Sequence, residues 1–218
     1  MEMHKARFAR GASFSSIIAL VAGAVGFSTN AKAVVILPGQ TLTPSGTETL
    51  ATTGTPVESG PTPFTGLDAS NDVVFTGTIT SEVAVDATTG DLDFLYQFQN
   101  NPNSLDSIEH LTVGGFTGFT TDADYTTSTG VAPGTVTRSS SGFNVGFEFL
   151  GSGAVLQGET SDEVWVKTNA TAFQVGNAVV QDGGNADVAV YVPAVPEPAT
   201  AAIAALIFGG LGLRRRRA

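Results

Sequence analysis

The chain has 218 residues, with 20 acidic against 10 basic side chains, two histidines, one tryptophan and no cysteine, which excludes disulfides and thiol chemistry. The basic residues cluster at the ends: Val34 to Pro198 holds only Arg138 and Lys167 against 19 acids, a net charge of −17. A body so charged repels nucleic acid, anionic lipid headgroups and acidic polysaccharide, so nucleic acid is excluded as a partner.

Residues 1–33 read as a secretory signal peptide. Lys5, Arg7 and Arg10 precede an apolar, small-residue run from Phe14 to Phe27, predicted as a helix. Ala31-Lys32-Ala33 then gives an Ala-x-Ala site, with Ala31 and Ala33 as the small residues that signal peptidase reads. An uncleaved membrane helix is the alternative, for which the run is short. The mature chain then begins at Val34.

Residues 34–71 are predicted as one edge strand near Val34 to Leu37 followed by a loop or linker. Thr41 to Gly66 is dense in Thr, Ser, Gly and Pro, including Pro44, Pro56, Pro61 and Pro63. Such a composition offers few groups to bury and many turn formers, and O-glycosylation is its alternative use.

From Asp72 to Ala194 the period becomes two. Val73, Phe75, Ile79, Val83 and Val85 alternate with Thr76, Thr78, Thr80 and Glu82, and Phe94, Tyr96 and Phe98 alternate with Gln97 and Gln99. Ala87 to Gly90 between them makes a hairpin. Shorter strands are predicted at Ile108 to Val113, Thr135 to Arg138, Phe143 to Phe149, around Val164 to Thr168 and at Val188 to Val192, with loops marked by Asp122, Asp124, Gly130 and Pro133. No helical period is sustained anywhere in the body. About seven short strands split by Gly-rich turns predict an all-β, antiparallel β-sandwich, with helix confined to the two apolar ends.

Chemistry is sparse in the body. His110 is the one histidine left beyond the signal peptide, it lies in a predicted strand, and there is no G-x-S-x-G turn to present a serine. One histidine without cysteine does not make a zinc site. Asp91 with Asp93, Asp122 with Asp124, and Glu148 have the residue type a glycoside hydrolase needs, but 19 acids produce such pairs without function. No cofactor is expected other than calcium, which takes carboxylate and carbonyl oxygens. Its candidate ligands are Asp122, Asp124, Asp182 and Asp187, with solvated turns as the competing reading. Trp165 and Tyr191 fall on the more polar sides of their strands and are the candidates for a platform on which sugar rings stack.

The segment 195–218 carries the most specific signal. Pro196-Glu197-Pro198 is followed by an apolar run from Ala199 to Leu213 and then by Arg214, Arg215, Arg216 and Arg217. As a helix the run spans about 22 Å at ~1.5 Å per residue, enough to cross a bilayer of ~30 Å only with slight thinning and snorkelling arginines. The arginines stay cytoplasmic by the positive-inside rule and hold the Pro-Glu-Pro box on the far side of the membrane. This order of parts resembles the PEP-CTERM sorting domain of bacterial envelope and extracellular proteins. The resemblance implies recognition by an exosortase, a membrane enzyme that acts near the box and passes the protein to the cell surface or exopolysaccharide matrix. The expectation is therefore an exported, non-enzymatic surface or matrix protein whose partners are signal peptidase, the exosortase and, transiently, the inner membrane. A lectin-like exopolysaccharide-binding module is the alternative, and a weak glycoside hydrolase the third.

Overall fold

In the computed structural model, residues 35–150 and 153–195 are described, and they form an all-β architecture with no α-helix among the described residues. The predicted signal peptide with Ala31 and Ala33, the Pro-Glu-Pro box, the apolar run and Arg214 to Arg217 lie outside the described residues. Eleven strands pair antiparallel in one curled sheet: β1 (Thr41–Leu42), β2 (Thr52–Leu67), β3 (Val73–Asp86), β4 (Leu92–Asn100), β5 (His110–Val113), β6 (Thr121–Thr126), β7 (Thr135–Arg138), β8 (Val145–Glu148), β9 (Glu163–Ala170), β10 (Phe173–Asp182) and β11 (Gly184–Pro193). Their order across the sheet is β1-β7-β8-β5-β10-β11-β2-β3-β4-β9-β6.

The β3–β4 hairpin is the strongest match between sequence period and structure. Phe75, Ile79 and Val83 of β3 and Phe94, Tyr96 and Phe98 of β4 face one core, while the threonines between them face outward half-buried. Val73 and Val85 keep the inward parity yet lie at the strand ends, where nothing covers them fully. Several elements depart from expectation. Thr52 to Leu67, predicted as loop, is the longest strand: Pro63 and Gly66 stay in register, while Gly54, Pro56, Gly60 and Pro61 are absorbed at register shifts against β3, between Thr53 and Val57 and between Ser59 and Thr62. Gly60, at φ +125°, occupies the second of these, and a Cβ there would come within 2.6 Å of the Ile79 carbonyl. Asp122 and Asp124, predicted in a loop, lie in β6.

The curl brings β4 against the other end of the sheet. Phe94 meets Phe116 edge to face at 6.2 Å, and Phe98 meets Phe149 at 5.3 Å. The buried Tyr96 hydroxyl donates to the Tyr191 carbonyl at 2.7 Å, and the Tyr191 amide donates to Ser81 Oγ at 2.9 Å. Residues 35–42 then join the two ends of the sheet: Val35 bridges to Asp122 of the edge strand β6, while Thr41 and Leu42 form the other edge strand, β1, against β7. Arg138, 6% exposed, secures this closure with carbonyls alone, donating to Ile36 O at 2.9 Å, Phe116 O at 3.0 Å and Phe119 O at 2.9 Å. Burial without a carboxylate partner lowers its pKa.

Candidate functional site

The outer face of β3, β4, β9 and β6 gathers most of the candidate residues. Antiparallel register sets Ala84, Asp93, Lys167 and Asp122 on one rung across the four strands, and Glu82, Leu95, Trp165 and Asp124 on the next. Period two had assigned Trp165 to the polar side of its strand, and the register sets it there beside Asp124, which was expected in a loop. That side is not open to solvent, because the segment between β1 and β2 lies over it as a strap.

Three anchors hold the strap. Asp124 accepts from the Ser45 amide at 2.9 Å, the Gly46 amide at 2.8 Å and the Ser45 hydroxyl at 2.7 Å. Glu48 forms an ion pair with Lys167, the one salt bridge among the described residues. Leu50 packs on the small cluster of Ala84, Leu95 and Trp165. Trp165 is thereby 0% exposed, with the Lys167 ammonium 5.4 Å from its ring centroid. Tyr191 lies on β11, stacked edge to face with Phe173 at 5.0 Å. The expected Trp165–Tyr191 sugar platform therefore does not form: its tryptophan is sealed under the strap and its tyrosine belongs to a distant strand.

The carboxylates divide by whether donors reach them. Asp124 is saturated by the strap, and Asp162 likewise clamps the loop after β6 through the amides of Ser128 and Gly130, each at 3.1 Å. Burial pulls Asp86 upward, but the amides of Thr89 and Thr88 and the charge of Lys167 outweigh it and leave its pKa lowered. Asp93, 1% exposed, has no hydrogen-bond partner on either carboxylate oxygen, and Asp122 Oδ1 and Glu48 Oε2 are also buried without one. Burial and the negative charges of Asp86, Glu48 and Asp122 push Asp93 up to about 7 against the pull of Lys167. Asp122 is pushed up to about 6 by burial, Glu48 and Asp124, again opposed by Lys167. Burial works against the Lys167 ammonium, yet its bond to Glu48 and the charges of Glu48, Asp93 and Asp86 raise its pKa overall. Strap and rung thus share one ion pair, Glu48 with Lys167, flanked by two carboxyls that give up their protons only at about pH 6 and about pH 7.

The remaining candidates are scattered. Asp182 ends β10 and accepts from the Ser107 hydroxyl at 2.6 Å, whereas Asp187, on β11, accepts from Asn177 Nδ2 at 2.9 Å. Among the described residues no three histidine, aspartate or glutamate side chains converge as a metal-holding group. Asp91 sits in the turn before β4 while Asp93 is sealed, and Glu148 stands beside His110 and Thr135 in the register of β8 with β5 and β7.

Sequence reasoning missed one feature altogether. A hollow of about 280 Å³ opens between the end of β5, the segment leading into β8 and β10, with Val192 of β11 at its floor. Phe143, 50% exposed, forms one wall, and Asn144, Gln174, Asn177 and Thr112 line the rest with glycines beneath. β10 was not predicted, because Gly176-Asn177 interrupts its alternation, so nothing in the sequence brought Phe143 and Gln174 together. Compared with family models, curated proteins and solved structures, the chain matches none.

Proposed function

We propose that the chain is an exported, non-enzymatic protein of the cell surface or extracellular matrix, sorted through its C-terminal segment by an exosortase. Residues 1–33 carry the body through the inner membrane. Pro196-Glu197-Pro198, the apolar run and Arg214 to Arg217 then hold a membrane-anchored precursor with the box presented for processing. The observation that carries the reading is the unbroken order of those three parts in residues 195–218. The last strand ends at Pro193, so only Ala194 and Val195 separate the sheet from the box. The body between is a flattened β-sandwich, with the two halves of the curled sheet as its layers. A scaffold role suits it, since its most perturbed carboxyls lie beneath the strap, away from any substrate.

The test is an intact-mass measurement on material from native cells, where the chain is expected to begin at Val34 and to lack the apolar run and the arginines. Glu197→Ala is expected to leave a longer, membrane-bound form in a host that has the exosortase. Unchanged release of that variant, or recovered material that still begins at Met1 and ends at Ala218, refutes the sorting route.

A further inference from the structure

The hollow beside Phe143 differs in its charge from three other hollows among the described residues. The one at the β10–β11 turn is lined by Glu109 and Asp182, the one beneath the strap by Glu48, Glu82 and Glu163, and a third by Glu58, Glu82 and Glu163. The Phe143 hollow has no ionisable side chain in its lining. In a body with a net charge of −17, that neutrality selects an uncharged ligand.

Its shape depends on glycines whose missing side chains are taken up by neighbours. A Cβ on Gly114 would meet the Phe143 ring at 2.7 Å, and one on Gly176 would meet a Val192 methyl at 2.5 Å. The Phe143 ring therefore lies down on the β5 end of the sheet. Its backbone is fixed from both sides, the amide donating to Ser141 Oγ at 3.3 Å and the carbonyl accepting from the Phe116 amide at 3.0 Å. The aromatic wall is thus placed by the fold and still half open to water. Among the described residues the side chains of Asn144, Gln174 and Thr112 make no hydrogen bond within the chain, and Asn177 spends one amide hydrogen on Asp187.

A carboxamide offers a donor and an acceptor side by side, which matches the adjacent hydroxyls of a sugar, and an aromatic ring accepts the apolar C–H face of a pyranose. A volume at the small end of ligand pockets, which begin at ~300 Å³, suits one ring of a longer chain. We propose that this hollow binds one uncharged hexopyranose unit of a polysaccharide, with Phe143 against the C–H face of the sugar and the carboxamides of Asn144, Gln174 and Asn177 on its hydroxyls. The site rests on the reading of the body as a displayed scaffold and gives that scaffold a ligand. Sorting makes no use of the hollow, so the two can fail separately.

The test is saturation-transfer NMR on the full-length protein in detergent, with cellopentaose, laminaripentaose, mannopentaose and galactopentaose as neutral probes and oligogalacturonate as the acidic one. Transfer is expected from at least one neutral probe and not from the acid. Phe143→Ala is expected to weaken binding at least tenfold and Gln174→Ala several-fold, with the melting temperature and the emission of Trp165 unchanged in both. No transfer from any neutral probe, preference for the acid, full binding by Phe143→Ala, or self-association that hides Phe143 in place of sugar binding would each overturn the site. Correct processing in native cells together with any of those results leaves the sorting proposal standing and removes only this one.

Discussion

Replacing Asp93 with Asn probes the least satisfied group in the body. The folded protein holds the Asp93 proton to about pH 7, whereas in the unfolded chain the carboxyl returns to its ordinary value of 3.8. A carboxyl raised on folding contributes stability that is fully present below its unfolded pKa and is lost as pH rises through its folded one. Between pH 4 and pH 7 the folded chain binds more protons, so stability falls with rising pH, by up to ~4 kcal/mol at about 1.4 kcal/mol per pH unit. That figure is a ceiling, because lifting the strap would hydrate the charge at the cost of the strap's own bonds. Asn imitates the protonated form, and its two donors enter a cluster in which Asp122 Oδ1 and Glu48 Oε2 have none. Asp93→Asn is therefore expected to match the parent near pH 3.5, below the unfolded pKa, and to exceed it by roughly 2–4 kcal/mol at pH 8, after allowance for imperfect amide bonding. Urea unfolding followed by the emission of Trp165, the one tryptophan, reads both values directly. A variant that loses stability at pH 8, or shifts equally at both pH values, refutes the reasoning.

Three further outcomes follow from the same geometry. Lys167→Met strands Glu48, Asp93 and Asp122 without a cation and is expected to cost ~3–5 kcal/mol at pH 8 but much less at pH 5, where Asp93 and Asp122 are protonated; equal losses in urea at the two pH values would count against this. Asp124→Ala removes the acceptor of the Ser45 and Gly46 amides, so a loss of ~2–3 kcal/mol should accompany a red-shifted Trp165 emission and faster acrylamide quenching, and unchanged quenching would show that the strap does not shield the indole. Arg138→Lys keeps the charge but cannot reach the carbonyls of Ile36, Phe116 and Phe119 together, so thermal and urea unfolding should report a loss of ~2–3 kcal/mol; a neutral result would remove the guanidinium from its closing role.

Much of the architecture was legible because one physical signal governs it. Where a strand buries one face, as in Phe75 to Val83 and Phe94 to Phe98, alternation alone located the strand and its inward side. It failed where burial is lopsided. β2 is mostly exposed and carries most of its prolines and glycines at bulges, so composition imitated a loop, and β10 interrupts its period at Gly176-Asn177. The site was less legible for a related reason. Alternation put Trp165 on the polar side of its strand, while Asp122 and Asp124 read as loop residues; polarity tells which way a side chain points and not what lies above it. The strap that converts an apparent sugar platform into a sealed ion-pair layer is attached by Glu48 and Ser45, more than 70 residues from Asp124 and Lys167. Local sequence holds no trace of so distant a contact. The neutral hollow escaped because it is made from the ends of strands and the segments between them, none of which is unusual alone.

The joining of the sheet's two ends by residues 35–42 has a consequence for how the chain acquires its structure. Synthesis delivers this stretch ahead of everything else in the body, yet its partners Asp122 and Val136 come roughly 90 residues later, so the earliest segment made is among the last to settle. Until then two rows of unclaimed amides and carbonyls lie bare, ready to join a neighbouring molecule. Once it docks, Val35 on one side and Thr41 and Leu42 on the other stitch the two ends together and shorten the bare stretch of each.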